Sequence, residues 1–387
     1  MKLERIILIT LIVANTLLVH SVRECPAWVG FELDGAATAV NDTWDTAGGD
    51  GGQWELAGRL VVQEQLEPLD LELHWLADAR WAFGELRLTG PYGESPFRTL
   101  DMEKTHRETS RSALTSEVDR LTAGWTFSGL GITVGRQAIT WGEAYYFNIN
   151  DLFGAFPITE TNRLYKPGID ALTVTASLGP FSDLSLVTVP SDDTDDNAAV
   201  NLQIPVGAGS LSLTGGRIRE DIKLGAGYTV DFGGARIYGT HLVTREDGGT
   251  GFSETVAGVE SQVGPYTHMV GEIYLNGWGA ADPDEYPALR LTERYLAGQA
   301  LTLGRLSGAV QISRQVTPLL TVTPALFANL SDGSVLARLD GGWSLSDLTS
   351  LSGGIFVGLG KRPDSGVQES EYGGAPLTVY LELVHSI

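Results

Sequence analysis

The side chains best suited to binding or steering a solute are concentrated between residues 135 and 172. Eight charged or amide residues in this region could form ion pairs or contact a passing solute: Arg136, Glu143, Asn148, Asn150, Asp151, Arg163, Lys166 and Asp170. We expect the three bases to meet the three acids and lock the region in place. If the same groups also face a water-filled passage, they form a constriction that selects what passes. The sequence leaves both roles open, and they are compatible.

Aromatic residues accompany these charges at unusual density. Six rings occur within sixteen positions: Trp141, Tyr145, Tyr146, Phe147, Phe153 and Phe156. A loop exposed to water does not normally carry so many rings, and the charges make the stretch too polar for lipid. We therefore predict that residues 142–166 fold into the interior of a β-barrel and narrow it.

The sequence gives no comparable support for catalysis or for a bound metal ion. His241 and His268 lie on predicted strands near Ser253 and Ser261, but no spacing is diagnostic of a Ser–His hydrolase. The single cysteine, Cys25, falls in a predicted leader, so the remaining chain offers no thiolate metal site, disulfide or Cys-x-x-Cys-His haem attachment. We predict a protein that is not an enzyme and holds no cofactor. The acidic run at 191–197 is either a solvated loop or a divalent-cation site, although its spacing matches no known calcium loop.

The rest of the chain is predicted to form β-strands. These strands must position the region just described. Apolar and polar side chains alternate with a period of two over residues 54–63, 69–78, 320–330, 335–344 and 351–359. A sheet with one apolar and one polar face separates two unlike media. The pattern predicts an all-β protein.

Turn lengths indicate how the strands are joined. Short turns such as Gly179-Pro180, Gly264-Pro265 and Ser346-Asp347 alternate with long loops at 90–111, 191–197, 245–252, 277–287 and 361–376. That asymmetry is typical of a closed antiparallel transmembrane β-barrel, and the runs predict about sixteen strands, within a range of fourteen to eighteen. The sheet must close because lipid does not tolerate open edges. A β-solenoid would need a fixed repeat, and a soluble sandwich of this length would be expected to divide into domains.

The first residues predict export. Lys2 and Arg5 precede an apolar run over residues 6–19, which is the pattern of a secretory signal peptide. We place cleavage before Trp28, with a cut after Ser21 as the alternative, and so divide the chain into a signal peptide (1–27) and a barrel (28–387). A formal net charge of −22, from 26 basic and 48 acidic residues, argues against nucleic acid as a partner.

Four short motifs in the central region carry a family resemblance: Gly135-Arg136-Gln137, Trp141-Gly142, Asn148/Asn150-Asp151-Leu152-Phe153, and Lys166-Pro167-Gly168-Ile169-Asp170-Ala171-Leu172. In this order they resemble a broad group of Gram-negative outer-membrane porin-like barrels and, more distantly, alginate-export-type barrels. The terminal strand, residues 377–387, resembles the assembly signal of outer-membrane barrels. The resemblance implies residence in the bacterial outer membrane, with lipid and the barrel-assembly machinery as partners.

Two functions follow from this architecture. The first is a channel for small polar solutes or ions, with a cation preference because acids outnumber bases on the predicted lumen-facing parity. Those acids are Glu55, Asp70, Glu72, Asp78, Glu254, Glu260, Glu272, Asp340 and Glu382, against chiefly Arg59 and Arg338. The alternative is a structural sheath around a multihaem cytochrome in an outer-membrane electron-transfer conduit, which would need a wide lumen without a plugging loop.

Overall fold

The computed structural model describes residues 28–41, 50–88, 95–158, 160, 165–191, 196–363 and 367–386. The predicted signal peptide with Cys25 lies outside the described residues, as does the candidate site residue Arg163. The predictions made for those positions therefore remain predictions.

Nineteen β-strands follow one another in the residues that the structure describes. Their bounds are β1 (Trp28–Asn41), β2 (Gly51–Leu66), β3 (Leu69–Gly84), β4 (Glu103–Thr109), β5 (Ser112–Phe127), β6 (Leu130–Gln137), β7 (Ile169–Gly179), β8 (Ser182–Val189), β9 (Asn197–Val206), β10 (Gly209–Ile218), β11 (Asp221–Phe232), β12 (Ala235–Arg245), β13 (Gly251–Val263), β14 (Thr267–Asn276), β15 (Leu306–Thr317), β16 (Leu320–Asn329), β17 (Ser334–Ser346), β18 (Thr349–Leu359) and β19 (Leu377–Ser386). All pairings between them are antiparallel, and β1 pairs with both β2 and β19, which closes the sheet.

The closed barrel contains eighteen of these strands. The short strand β4 pairs only with the first part of β5, while β5 also pairs with β3 and β6 as part of the barrel. The predicted fold class is confirmed, and the count lies at the upper end of the predicted range. The sequence analysis did not recognise β1 and β9. Both contain runs of small residues, such as Gly35-Ala36-Ala37 and Ala198-Ala199, in which the apolar alternation is weak.

The two ends of the barrel differ as the turn lengths predicted. Chain reversals at one end are short, for example between β7 and β8 and between β13 and β14. At the other end long connections follow β3, β6, β14 and β18. The β14–β15 connection carries a 3-10 turn (Pro283–Glu285) and two short helices, α1 (Tyr286–Arg290) and α2 (Glu293–Leu296). None of the helices in the described part of the chain has the length and hydropathy of a membrane-spanning helix.

The outward face of the barrel is an apolar belt. Leucine, valine and isoleucine side chains on alternate positions are exposed around the whole sheet, as in β14 and β16, where Ile273 and Leu326 are more than half exposed. Aromatic side chains mark both margins: Trp54, Trp81 and Phe83 towards the long loops, and Phe127, Phe181, Phe232 and Tyr266 at the short turns. An apolar band flanked by aromatic girdles is typical of barrels that contact lipid.

Candidate functional site

The residues between β6 and β7 fold into the barrel, as predicted. We call residues 138–168 the inward segment. Its side chains and backbone contact inward-facing residues of strands on opposite sides of the barrel: Glu32 of β1, Arg59 of β2, Arg236 of β12, Glu272 of β14, Gln311 of β15, Phe327 of β16 and Arg338 of β17. Only a segment that crosses the interior can reach so many strands.

A buried ion pair holds the inward segment where it leaves and rejoins the wall, and we call it the root anchor. Arg136 of β6 and Asp170 of β7 are cross-strand neighbours. Arg136 Nε lies 2.8 Å from Asp170 Oδ1, and its Nη2 lies 3.0 Å from Oδ2. This two-point geometry is the strong form of a charged hydrogen bond. Arg136 is only 1% exposed, so the pair has a structural role.

The root anchor also captures a second loop. The backbone N–H groups of Thr99 and Leu100, between β3 and β4, donate to Asp170 Oδ2 at 2.9 and 2.8 Å. Leu100 in turn presents its carbonyl oxygen to Arg136 Nη2 at 2.6 Å. The ring of Phe97 packs on Phe153 of the inward segment, with 5.5 Å between the ring centroids. Residues 95–102, predicted only as part of a long polar loop, are thus tied into the barrel interior.

A bulge in β5 adds a cluster of charges beside the root anchor. The pairing of β5 with β3 shifts between His74 and Trp75, which leaves Asp119 as the extra residue and turns both Asp119 and Arg120 inward. Asp119 accepts from Arg59 at 2.7 Å and from Arg98 at 3.1 Å. The parity rule could not find this pair because each bulge reverses the inside and outside positions.

A second ion pair lies within the inward segment. Lys166 Nζ contacts a carboxylate oxygen of Asp151 and the carbonyl oxygen of Ile139. Burial raises the pKa of Asp151 to about 6, and the nearby ammonium group only partly offsets this effect. Burial likewise lowers the pKa of Lys166. The pair agrees with the expectation that bases of this region meet its acids, although the sequence did not say which base meets which acid, and it joins the two limbs of the segment.

The far end of the inward segment is held by one carboxylate, and we call this the tip anchor. Glu272 of β14 accepts hydrogen bonds from three successive backbone N–H groups, those of Tyr145, Tyr146 and Phe147, at 2.5, 3.0 and 2.9 Å. The Tyr238 hydroxyl of β12 donates to the same carboxylate. Glu272 was assigned to the lumen by parity, but nothing in the sequence indicated that it binds this segment.

Among the described residues, the base that pairs with Glu143 comes from outside its own region. It pairs with Arg236 of β12, which also contacts Glu260 at 3.3 Å. Glu260 in turn lies 2.8 Å from His268 Nε2. The sequence analysis overlooked Arg236 because its partner lies 93 positions away along the chain. The predicted base Arg163 lies outside the described residues.

The two asparagines have different surroundings. Asn148 donates from Nδ2 to the carbonyl oxygen of Trp141 at 2.8 Å, which closes a turn within the segment. Asn150 is fully buried, and its side-chain oxygen and nitrogen have no hydrogen-bond partner in the described part of the chain. It rests on β11 where Gly225 and Gly227 leave room: a Cβ on Gly225 would lie 2.6 Å from Asn150 Oδ1. Bare glycine backbone therefore forms the seat for this side chain.

The inward segment leaves a cavity of about 1080 Å³ along the barrel wall. Four of the eight candidate site residues line it, namely Arg136, Asn148, Asp151 and Lys166. Glu143 lines a second cavity of about 300 Å³ together with Asn148 and Asp151. Asn150 and Asp170 line neither cavity, since the first is packed on the glycines and the second is enclosed in the root anchor.

Acids outnumber bases around the larger cavity. Among its described lining residues, twelve are aspartate or glutamate and six are arginine or lysine. The acids include Glu32, Asp34, Glu55 and Glu382, which lie on the adjoining strands β1, β2 and β19. Five of the bases form ion pairs, those of Arg59, Arg80, Arg98, Arg136 and Lys166. The wall is therefore acidic overall, and most of its positive charge is locally neutralised.

Comparisons with known proteins agree with this architecture. No protein-family model matches the sequence, and no curated protein matches it. Solved structures do match: OccK5 (OpdH) of Pseudomonas aeruginosa has a TM-score of 0.57 at 8% identity, covering 93% of this chain and 98% of that chain. A BenF-like porin from Pseudomonas fluorescens Pf-5 gives 0.58 at 10% identity with the same coverage. Pseudomonas aeruginosa OpdK, solved with vanillate, gives 0.54 at 11% identity, again with the same coverage. At these identities the likeness shows the shared fold.

Proposed function

We propose that the protein is an outer-membrane porin-like channel for small polar solutes or ions, with a preference for cations. The observation that carries the proposal is the closed barrel with an apolar exterior and an interior narrowed to a charged cavity by the inward segment. Such a wall is suited to a barrel whose exterior contacts lipid and whose charged cavity contains water, which supports the proposal. The porins of similar fold, one of them solved with a small solute, support the channel function by analogy.

The charge of the lining supports the cation preference. Carboxylates in a narrow water-filled passage lower the energy of cations and raise that of anions. Bases at a constriction would oppose this preference if their charge were not neutralised. Arg136 and Lys166 line the cavity, but each is matched by its own carboxylate, Asp170 or Asp151. The unbalanced charge along the wall is negative.

The sheath function has no comparable support. An enclosed multihaem cytochrome needs a wide lumen, whereas here the segment between β6 and β7 crosses the interior and packs on the opposite wall. The aromatic core of that segment includes Phe147, which is fully buried against Tyr274. We therefore propose the channel function alone.

Three measurements test the channel. Unboiled protein in detergent should migrate differently from boiled protein on a gel, and its circular dichroism should be dominated by β-structure. Planar bilayers containing the protein should show discrete conductance steps. A helical spectrum, recovery from the soluble periplasm, or folded barrels that never conduct would each contradict the proposal.

The inward segment provides a sharper test. Deleting Glu143–Phe156 removes the tip anchor contacts and the aromatic plug, so single-channel conductance should rise. Deleting residues 247–249, an exposed turn between β12 and β13 outside both cavities, is the control and should leave conductance unchanged. Equal conductance of a folded segment-deleted barrel and the wild type would show that the segment does not narrow the passage.

Reversal potentials test the charge preference. A KCl gradient at low ionic strength should give the sign expected for potassium selectivity, and the effect should weaken as salt rises because screening shortens to about 3 Å at 1 M. A potential of the opposite sign would show that the paired bases, rather than the net charge of the wall, control selectivity.

A further inference from the structure

One base on the cavity wall differs from the others. Lys223 of β11 lines the cavity, is 6% exposed, and forms no ion pair or hydrogen bond with any residue that the structure describes. The other five lining bases each have a carboxylate partner. A buried unpaired ammonium group is costly, so its retention calls for an explanation.

A second unpartnered group lies beside Lys223 on the neighbouring strand. Thr244 of β12 is the direct cross-strand neighbour of Lys223, and it is fully buried. Its Oγ1 atom also has no hydrogen-bond partner among the residues that the structure describes. On the other side, β10 presents Gly216 directly opposite Lys223, so that cross-strand neighbour has no side chain to pair with the ammonium group. Two donors on neighbouring strands are thus both unoccupied.

The charges nearest to Lys223 are already engaged. Asp221, two residues earlier on β11, lies 2.5 Å from Arg294 of α2. Glu254 of β13 accepts a hydrogen bond from the Tyr274 hydroxyl at 2.5 Å. Arg294 stacks over the ring of Phe252 at 4.7 Å and stays with Asp221. These groups influence Lys223 through space, but none forms an ion pair with it.

We propose that Lys223 and Thr244 form an anion-binding subsite on the wall of the cavity. The ammonium group lines the cavity and supplies the charge, and an anion drawn in between the two strands would also accept a hydrogen bond from the Thr244 hydroxyl, which is not itself part of the cavity lining. Leu242, inward-facing two residues before Thr244 on β12, and Leu301 of the β14–β15 connection make the surroundings partly apolar. A partly dehydrated ammonium group favours a singly charged, weakly hydrated anion over a strongly hydrated one. This inference rests on the proposed channel and deepens it, because the subsite would give anions one binding step in a passage otherwise lined by acids.

Thiocyanate is a suitable probe, and sulfate is its strongly hydrated counterpart. Binding to the full-length protein in detergent is measured from the ¹³C NMR line width of thiocyanate, a readout that does not depend on conductance. The K223Q variant should bind about tenfold more weakly or worse, the effect of losing one hydrogen bond to a charged group. K223R, which keeps the charge, should retain most of the affinity, and T244V should lose part of it. Sulfate at matched ionic strength should bind more weakly than thiocyanate.

The matched control is K104Q. Lys104 is an exposed lysine on the short strand β4 and lies outside the cavity lining, so this substitution removes the same charge without touching the subsite. K223Q should fold as well as the wild type, because it removes an unpaired buried charge. In bilayers it should also make the reversal potential more cation-selective, which K104Q should not do.

The possible outcomes separate the two proposals. Equal thiocyanate binding by folded K223Q, K104Q and wild-type protein would overturn the subsite. Tighter binding of sulfate than of thiocyanate would overturn the choice of ligand class. Loss of thiocyanate binding in K223Q, together with barrels that never conduct, would support the subsite and contradict the channel.

Discussion

The root anchor and the tip anchor hold the same inward segment by different physical means. At the root, Arg136 and Asp170 are two opposite charges on neighbouring strands, buried together. At the tip, the single carboxylate of Glu272 is satisfied by three backbone N–H groups and a tyrosine hydroxyl. The root is therefore part of the barrel wall, whereas the tip is a docking contact made by a loop.

This difference determines what each anchor protects. Removing one partner of a buried ion pair leaves the other charge without compensation in a place that water cannot easily reach. Removing the carboxylate at the tip instead releases neutral N–H groups beside a cavity, where the loop can shift and hydrate. We expect damage at the root to affect folding and damage at the tip to affect conductance.

The largest effect is expected from R136M. Asp170 would keep the N–H groups of Thr99 and Leu100 but lose its counter-charge, at a cost of about 3–5 kcal/mol in unfolding free energy. The measurement is the temperature at which the unboiled gel band converts to the denatured position. R219M is the control, since its partner Glu293 is largely exposed and such surface pairs contribute about 0–1 kcal/mol. Equal melting of R136M and R219M would remove the distinction between the anchors.

The E272Q variant tests the tip. Glutamine keeps the shape of the side chain but lacks the negative charge, so the hydrogen bonds from Tyr145, Tyr146 and Phe147 should weaken, by about 1.5–3 kcal/mol in total. The barrel should still fold, and single-channel recordings should show higher and noisier conductance. E254Q alters an inward carboxylate that accepts from a tyrosine hydroxyl rather than from the segment, so it should keep the low current noise of the wild type even if its selectivity shifts. A folding defect in E272Q with unchanged conductance would reverse the roles assigned to the two anchors.

A substitution at Gly225, next to Asn150 of the inward segment, should have a smaller effect than E272Q. In G225A the new methyl group would lie 2.6 Å from Asn150 Oδ1 and 3.0 Å from a methyl carbon of Leu242, which is overpacking at a cost of about 1–3 kcal/mol. The expected result is a displaced segment with increased current noise. G239A on β12 is the control, because its Cβ would meet only a carbonyl oxygen at 3.6 Å. If the current noise of both variants equals that of the wild type, the position of Asn150 does not depend on the space that Gly225 leaves.

The smallest effect concerns pH and the pair formed by Asp151 and Lys166. The pKa of Asp151 is raised by burial from 3.8 to about 6, so the folded segment binds more protons than the unfolded one between those values. The resulting stabilisation is fully present below the lower value and is lost as pH rises through 6. Current noise from the segment should therefore increase between pH 4.5 and pH 7. D151N imitates the protonated acid and should remove this pH dependence of the current noise. If the noise of D151N still rises with pH as in the wild type, another group causes the pH dependence.

The partners in the root anchor could be predicted from the sequence, whereas those in the tip anchor could not. Arg136 and Asp170 flank the same stretch and end adjacent strands, so hairpin geometry alone brings them together. Glu272 lies 125 residues beyond Phe147, and only closure of the barrel places it across the interior. The same reason explains why Glu143 was paired with a nearby base in the prediction, while in the fold it reaches Arg236.

Side-chain parity succeeded along regular strands and failed at irregular ones. Glu55, Asp78, Glu254, Glu382 and Arg59 all line the cavity as the alternation predicted. The bulge at Asp119 turned two successive residues inward, which a period of two cannot represent. Arg98 was hidden for a related reason, because it lies in a loop whose path depends on Asp119 and Gly168.

The closed antiparallel barrel, its unequal ends and the inward course of the segment between β6 and β7 can all be predicted from the sequence. These features follow from local rules: alternation gives each strand one apolar face, short turns join neighbouring strands, and aromatic rings mixed with charges suit neither lipid nor open water. Which charges are neutralised and which remain available cannot be predicted in this way and is known from the folded barrel. Neutralisation depends on distances of a few ångströms between strands far apart in sequence, because Coulomb energies and hydrogen bonds act over those distances. In the sequence nothing distinguishes Lys223 from other lysines, and its surroundings in the closed barrel leave it without a partner among the described residues.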